Sequence, residues 1–205
     1  MEKRPSIKGR VFGPALEDVE KCLADGRIGR HELGRWLQPS DLALLGRPVD
    51  PTDWYDVKVY GRVLALLRDV EGGGSPEYLR QRGARTAERL LEAGLYQQLE
   101  YLKRMALNQL PDPQERYRAY GRDLRVLTTI SASILNFAHW EPRPDPDFEL
   151  RYRIEVSDAA DAPDELGWTS EGFVNRMARQ HGDPDLWRWE RPRRDLILFR
   201  MIRAL

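Results

Sequence analysis

The stretch FELRYRIEV, residues 148–156, decides the fold class because its apolar and charged side chains alternate almost without interruption. Successive side chains of a β-strand point to opposite faces, so this pattern predicts a strand with one face on a core and the other in solvent. The predicted inner face carries Phe148, Leu150, Tyr152, Ile154 and Val156. We therefore expect a sheet in the C-terminal third of the chain, with an apolar layer packed on it.

The segments on either side of this strand indicate the rest of the sheet. DLRVLTTISASILNFAHW, residues 123–140, is rich in β-branched and apolar residues and predicts a long strand, which the proline-rich turn EPRPDPD follows. WTSEGFVNRMARQHG, residues 168–182, has the spacing of an amphipathic helix that ends at Gly182. DLWRWERPRRDLILFRMI, residues 185–202, predicts two strands around the turn RPRRD. The predicted order is β-β-α-β-β, most simply an antiparallel sheet.

The first 121 residues instead predict a series of helices. Apolar side chains recur three and four positions apart in ALEDVEKCLADG, residues 15–26, and again over residues 57–67. This spacing is typical of helices with one buried face. A longer pattern of the same kind starts at Pro76 and extends past Gly94, and a short helix, PQERYRAY, is expected to end at Gly121.

Three helix starts are predicted from the same arrangement, a polar N-cap residue followed directly by proline. A side-chain oxygen of aspartate or serine accepts a free backbone N–H, and proline suits the first helical position. Trp54 follows the first of these starts and is expected to seat its helix on the core. The three starts are Asp50-Pro51, Ser75-Pro76 and Asp112-Pro113.

Together these segments predict an α+β fold in a single domain that spans residues 1–205. The mainly helical part, residues 1–121, forms an N-terminal layer that packs on the antiparallel β-β-α-β-β sheet of residues 122–205.

Composition excludes several classes of function. Lys+Arg and Asp+Glu both number 33, so no net charge attracts nucleic acid or an anionic membrane. Cys22 is the one cysteine, which excludes a disulfide within the chain and a zinc site built on several thiolates. No apolar run is long enough for a signal peptide or a membrane span, so we expect a cytoplasmic protein.

Catalytic and metal-binding motifs are absent from the sequence. It contains neither a G-x-S-x-G nucleophile turn nor an H-E-x-x-H pair. The glycine cluster EGGGSPE, residues 71–77, lacks the Lys-Ser/Thr of a phosphate-binding loop and is expected to be a helix–helix loop. His31, His139 and His181 lie far apart in sequence. We therefore predict no catalytic residue, no metal ligand and no cofactor.

Two other interpretations stay open at this stage. An enzyme could assemble its site from scattered residues, for example Glu171, His139 and Arg85. The aromatic residues of successive helices could line a ligand cavity, or they could fill the space between helices and sheet. If they line a cavity, the candidate pocket residues are Trp54, Tyr60, Tyr96 and Tyr152.

The order of several segments resembles a known family. They are SIKGRVFGPALEDVEKCLADG (6–26), LQPSDLALL (37–45), DPTDWYDVKVYGRVLALL (50–67), GGGSPEYLRQRGARTAERLL (72–91), YRAYGRDLRV (117–126) and the EGF helix between strands. In this order and spacing the chain resembles a paralogous family of myxobacterial proteins of about 200 residues, distantly similar to V4R and haem–nitric-oxide-binding sensor domains. The resemblance covers nearly the whole chain, and Trp54-Tyr55 and the Gly83 region carry it best.

The resemblance implies an α+β fold with a helical layer on an antiparallel sheet, a small-molecule pocket between them and a tendency to form homodimers. It does not transfer cofactor chemistry. Haem members of the wider class use an axial histidine and a Tyr-x-Ser-x-Arg motif, and this sequence has neither pattern. V4R domains often carry metal-binding cysteines, whereas here Cys22 stands alone, near the other end of the chain.

Two functional hypotheses follow. The first is a non-enzymatic regulatory or sensor-like module that binds a small apolar molecule or a protein partner. The alternative is a scaffold or interaction protein without a ligand, which acts through a dimer or partner interface at the sheet edge. The last predicted strand, with apolar side chains on both faces, motivates this alternative.

Overall fold

Residues 4–94, 112–180, 182 and 184–205, as described by a computed structural model, form a helical layer and a four-stranded sheet. The helices are α1 (Gly9–Ala24), a 3₁₀ helix (Arg30–Arg35), α2 (Pro39–Leu42), α3 (Val57–Glu71), α4 (Pro76–Glu92), α5 (Pro113–Ile134) and α6 (Asp164–Arg179). The strands are β1 (Ser6–Lys8), β2 (Trp54–Asp56), β3 (His139–Pro144), β4 (Tyr152–Ser157), β5 (Trp187–Arg193) and β6 (Leu196–Met201). The continuation of the helical pattern past Gly94, and His181, lie outside the described residues.

The C-terminal sheet confirms the predicted β-β-α-β-β order. Its strands lie in the order β3-β4-β6-β5, and every neighbouring pair is antiparallel. On β4, Ile154 and Val156 are buried, whereas Arg153 and Glu155 form an ion pair on the opposite face. The strand is therefore half-buried, as its alternating sequence predicts, and the α+β fold class is confirmed.

The predicted strand over 148–156 begins later than its alternation suggests. Leu150 has a positive φ of 56°, which breaks the extended backbone, so β4 starts at Tyr152. Phe148 lies outside the strand and is 46% exposed, with the guanidinium carbon of Arg151 4.3 Å from its ring centroid. The two N-terminal apolar positions of the pattern thus contribute little to the sheet's inner face.

The long strand predicted over residues 123–140 is wrong. Most of this segment belongs to α5, and β3 begins only at His139 and includes much of the predicted proline-rich turn. Leu124 and Leu127 are buried at helical spacing, and the hydroxyl of Thr129 donates to the carbonyl oxygen of Arg125 within the helix. Burial of a helical face outweighs the weak strand preference of β-branched residues.

The short helix predicted to end at Gly121 is also wrong, because α5 continues through this residue. A Cβ at Gly121 would lie 2.2 Å from the hydroxyl oxygen of Tyr152. The glycine therefore leaves room for the end of the Tyr152 side chain where α5 approaches β4, and it does not end the helix.

Two of the three predicted helix starts are confirmed. The hydroxyl oxygen of Ser75 accepts the N–H of Glu77 at 3.3 Å, and a carboxylate oxygen of Asp112 accepts the N–H of Gln114 at 2.9 Å. Both side chains satisfy a free N–H at the first turn of a helix, as N-cap residues do.

The start predicted at Asp50 is wrong. Asp50 accepts the N–H of Thr52 in a turn, and α3 begins at Val57 with Asp56 as its N-cap. The intervening residues, Trp54–Asp56, pair with β1 as β2. Trp54 is 43% exposed, and Lys8 Nζ lies 4.0 Å from the centroid of its ring. The Trp54 side chain therefore does not anchor α3 on the core.

Helix α6 contacts both the sheet and the N-terminal helical layer. On the sheet side, the Asn175 side chain donates to the carbonyl oxygen of Trp187 at 2.9 Å and accepts its N–H at 2.8 Å. On the other side, Gly83 of α4 packs directly on the α6 backbone at Thr169. Helix α6 therefore lies between α4 and the sheet. Helix α5 contacts the sheet directly, since Tyr117 stacks on Tyr152 and the Tyr120 hydroxyl accepts the indole N–H of Trp187 at 3.0 Å.

Candidate functional site

An apolar cavity of about 70 Å³ lies beside the contact between α4 and α6. Its walls come from both parts of the chain, because α4, β1 and α3 belong to the N-terminal part, whereas α6 and β3 belong to the sheet-containing part. The main lining side chains are Ile7, Tyr60, Thr86, Leu90, Trp140, Leu166 and Phe173. An apolar pocket at the junction of two layers is a common position for a small-molecule site.

Glycine and small side chains along the α4–α6 contact create this space. Gly83 brings the two backbones together, and beside it Thr86 and Thr169 line the cavity. The hydroxyl of Thr86 donates to the carbonyl oxygen of Arg82 at 3.1 Å, and that of Thr169 donates to Glu165 at 2.7 Å. Because both hydroxyl donors are used within their own helices, the cavity retains an apolar character.

Tyr60 forms one wall of the cavity and is 1% exposed. Burial raises the pKa of its hydroxyl, and the opposing effect of the Arg82 guanidinium is smaller. Because the effect of burial exceeds that of Arg82, the phenol stays neutral, and it offers its ring to the cavity. It supplies shape rather than acid–base chemistry.

An ion pair between a buried guanidinium and a partly exposed carboxylate lies beside Tyr60. Arg82, 2% exposed, donates to a carboxylate oxygen of Asp18 at 2.6 Å and thereby ties α4 to α1. Paired charges of this kind are tolerated in a core because each satisfies the other. The pair fixes the face of α4 that carries Gly83 and Thr86.

Cys22 is a structural thiol. It is fully buried, and its Sγ donates to a carboxylate oxygen of Glu71 at 3.3 Å. Burial, reinforced by the Glu71 carboxylate, raises the pKa of the thiol to about 11. Since the thiolate is the nucleophilic form, this environment does not activate the cysteine.

The three pocket candidates that the structure describes, of the four predicted from the sequence, do not come together. Tyr60 lies on the cavity, whereas Trp54 is at the surface on β2. Tyr152 is half-buried on β4, where it stacks on Tyr117 with ring centroids 4.2 Å apart, away from the cavity lining. Tyr96 lies outside the described residues. Among the described residues, half of the cavity lining is aliphatic, and the aromatic pattern indicated only Tyr60 of its three aromatic side chains.

The scattered catalytic set, Glu171, His139 and Arg85, is not assembled. Glu171 and Arg85 line one polar groove along α4 and α6, whereas His139 pairs with Ser157 in the sheet and lies outside that groove. Glu171 is 1% exposed, and its carboxylate accepts the Nε–H of Arg80 at 2.7 Å and the N–H of Trp189 at 3.0 Å. Its role is to hold α6 against α4 and β5.

Two further features bear on the class of site. Over residues 4–94, 112–180, 182 and 184–205, no three histidine, cysteine, aspartate or glutamate side chains lie close enough to hold a metal ion. Within the same residues, no helix combines the length and apolar content needed to cross a bilayer.

The fold is similar to that of a solved structure. The crystal structure of an H-NOX protein from S. oneidensis in the Fe(II)NO ligation state matches with a TM-score of 0.51 at 10% sequence identity. The match covers 97% of this chain and 100% of that one. At this identity the likeness shows a shared α+β fold and does not show a shared activity.

Sequence comparisons add no closer relationship. No protein-family model matches the chain, and a search of curated proteins finds no similar sequence.

The cavity residues that the structure describes do not fit a haem. They include no histidine, cysteine or methionine, and the one tyrosine, Tyr60, directs its hydroxyl to Arg82. Histidine, cysteine, methionine and tyrosine are the side chains that ligate haem iron in proteins. No arginine or lysine stands among the lining residues to pair with a carboxylate of a porphyrin.

Proposed function

We propose that the protein is a sensor-like module that binds a small apolar molecule in the cavity between α4 and α6 without transforming it. The observation that carries this proposal is the apolar lining of a cavity shared by the two parts of the fold. The likeness to an H-NOX structure supports it as analogy, since that match concerns the fold alone.

The cavity makes ligand binding energetically reasonable. A void leaves the side chains that line it without contacting atoms on one side, so these side chains lose dispersion energy. A guest that fills the space regains the missing dispersion contacts without the loss of any hydrogen bond. An apolar molecule therefore fits this site better than a polar one.

The position of the cavity would allow a bound molecule to change the arrangement of the two parts of the fold. Thr86 and Leu90 belong to the helical layer, whereas Trp140 and Phe173 belong to the sheet-containing part. A bound molecule contacts both and favours the arrangement in which they are close. A ligand shifts a conformational equilibrium only by its difference in affinity for the two states, and this wall arrangement provides such a difference.

The volume of the cavity also limits the size of the ligand. A cavity of about 150 Å³ binds benzene, and this one, at about 70 Å³, has roughly half that volume. We expect ligands of the size of xenon or cyclopropane, and we expect benzene to exceed the available space.

Methyl NMR tests the proposal directly. Cyclopropane should shift the methyl resonances of Leu90, Leu166 and Val174 in a saturable manner. The variant Thr86→Leu, which fills the cavity, should abolish the shifts. Thr129→Leu is the matched control, because Thr129 makes the same bond to its own helix but lies exposed on α5. Equal shifts in Thr86→Leu and the wild type, or none in either, would contradict the proposal.

The alternative, an interaction protein that acts through a dimer or partner interface, depends on the outer face of β6. Leu198 lies on that face but is 7% exposed, and it pairs with Glu155 and Glu190 on the neighbouring strands. The apolar surface that motivated this alternative is thus largely covered within the chain. Light scattering that shows a stable dimer at low concentration would favour it over ligand sensing.

A further inference from the structure

A polar groove lies on the other side of the α4–α6 pair from the apolar cavity. On α4 it is lined by Gln81, Ala84 and Arg85, which face away from Gly83 and Thr86. The groove encloses about 620 Å³, which is within the range of small-molecule sites and far larger than the cavity. Gly172 and Ala84 leave its floor open because neither has a long side chain.

Arginine dominates the walls of this groove. Five arginines face four carboxylates, in a chain that has no net charge overall. The arginines are Arg80, Arg85, Arg176, Arg179 and Arg188, and the carboxylates are Glu77, Glu88, Glu171 and Asp185.

Most of the carboxylates are already paired. Arg80 bonds to Glu171 at 2.7 Å and lies 3.2 Å from Glu77. Arg176 pairs with Glu88 at 2.8 Å. Three of the four acids are thus paired with two arginines that are themselves partly buried, and these pairs form the framework of the groove.

The remaining arginines are exposed. The Arg188 guanidinium also donates to the carbonyl oxygen of Trp187 at 2.8 Å, and the guanidinium carbon of Arg85 lies 5.8 Å from the ring centroid of Tyr78. Among the described residues, no carboxylate lies within 4.0 Å of the guanidinium of Arg85 or Arg179. Arg188 has its nearest carboxylate oxygen, on Glu171, at 3.9 Å, and that carboxylate is already bonded to Arg80 and to a backbone N–H. The groove therefore presents guanidinium groups in excess of the acids that could satisfy them.

We propose that this groove binds a small organic or inorganic anion that carries phosphate or carboxylate groups, held by Arg85, Arg179 and Arg188. The planar guanidinium presents paired N–H donors that match both phosphate and carboxylate oxygens in a bidentate geometry. The buried charge of Glu171 does not oppose the anion strongly, because Arg80 and the Trp189 N–H compensate it. This site is independent of the apolar cavity and of the function proposed for it.

Isothermal titration with pyrophosphate and with citrate tests this site, and the two probes distinguish phosphate from carboxylate recognition. At low salt we expect saturable binding of at least one of them. In the double variant Arg85→Ala/Arg179→Ala the affinity should fall by at least about tenfold.

The matched control is Arg47→Ala/Arg194→Ala, which removes the same charge from two exposed arginines outside the groove. It should change the affinity by less than about twofold. The proposal is overturned if neither anion binds saturably, or if both double variants weaken binding equally. The second result would mean that overall charge, rather than the groove, attracts the anion.

Discussion

Gly83 of α4 and Gly172 of α6 mark the place where the backbones of these two helices touch. A Cβ on Gly83 would lie 1.8 Å from the carbonyl oxygen of Thr169, and a Cβ on Gly172 would lie 1.9 Å from the carbonyl oxygen of Arg80. Each helix thus uses a glycine to accept the backbone of the other. This contact joins the N-terminal helical layer to the sheet-containing part, with the apolar cavity on one side and the arginine groove on the other.

We expect Gly83→Ala to destabilise the protein by about 2–4 kcal/mol, because the methyl group has no space unless the helices separate. Urea denaturation measures this change. Gly34→Ala is the control, since no atom lies within 4 Å of the position of its added Cβ. The control should change stability by less than about 1 kcal/mol. If the two variants were equally stable, the close backbone contact would not exist in solution.

Asp18→Ala should destabilise the protein by about 3 kcal/mol, because it leaves the charge of Arg82 buried without its partner. Lys21→Ala removes the other cation near Asp18, but the Lys21 side chain is 67% exposed. The effect of that control should be less than about 0.5 kcal/mol. Similar losses in both variants, measured by urea denaturation, would argue against a special role for the buried pair.

The same pair predicts an acid dependence of stability. Burial tends to raise the pKa of Asp18, but Arg82 and Lys21 together lower it below its ordinary value of 3.8. The folded state therefore binds this proton less tightly than the unfolded state. The stabilisation is complete above the ordinary pKa and is lost as the pH falls through the lowered value. The stability difference between wild type and Asp18→Asn should shrink on acidification, and a constant difference would contradict this.

Asp123 should have the opposite pH dependence. It lies on α5 and is 7% exposed. Burial raises the pKa of its carboxyl to about 6, and the nearby charge of Arg122 lowers that pKa by a smaller amount. The folded state holds this proton more tightly than the unfolded state, so stability falls as the pH rises from about 4 to about 6.

We expect Asp123→Asn to gain stability relative to wild type over this pH range, by up to about 3 kcal/mol. Urea titrations at several pH values measure the difference. The control Asp195→Asn changes an exposed carboxyl on the last hairpin and should alter stability by less than about 0.5 kcal/mol. A pH-independent difference for Asp123→Asn would show that its carboxyl is not perturbed by the fold.

Thr86→Leu should stabilise the protein by about 1 kcal/mol, because the larger side chain fills part of the apolar cavity. Thr129→Leu makes the same change on the exposed face of α5, where no cavity receives it. Thermal unfolding should show a gain for the first variant and a change within about 0.5 kcal/mol for the second. A loss of stability in Thr86→Leu would mean that the space is smaller than described.

The sheet could be predicted from sequence because its signals are local. The alternation through Ile154 and Val156 depends only on the two-residue period of a strand. Two helix starts could be predicted for the same reason, because Ser75 and Asp112 cap the first turn of the helix that directly follows each of them. The identity of α5 was harder to predict. Its β-branched residues favour a strand locally, and only packing of its buried face against distant elements selects the helix.

The candidate sites depend on relationships that no local pattern records. Gly83 could be read as an interruption of a helix, and its contact with Thr169 becomes apparent only when α6 is placed beside it. Gly83 and Ala87, small residues four positions apart on the buried face of α4, are the one signal that could have indicated a close helix contact. The cavity itself is a space that side chains leave unfilled, and composition does not encode it.

Anomalous diffraction from a crystal pressurised with xenon tests the central claim most directly, namely that the α4–α6 junction holds an apolar site open to a small guest. We predict a xenon peak within the cavity bounded by Tyr60, Thr86 and Trp140, and its loss in Thr86→Leu. Absence of xenon from this position in the wild type, or an undiminished peak in the variant, would contradict the account.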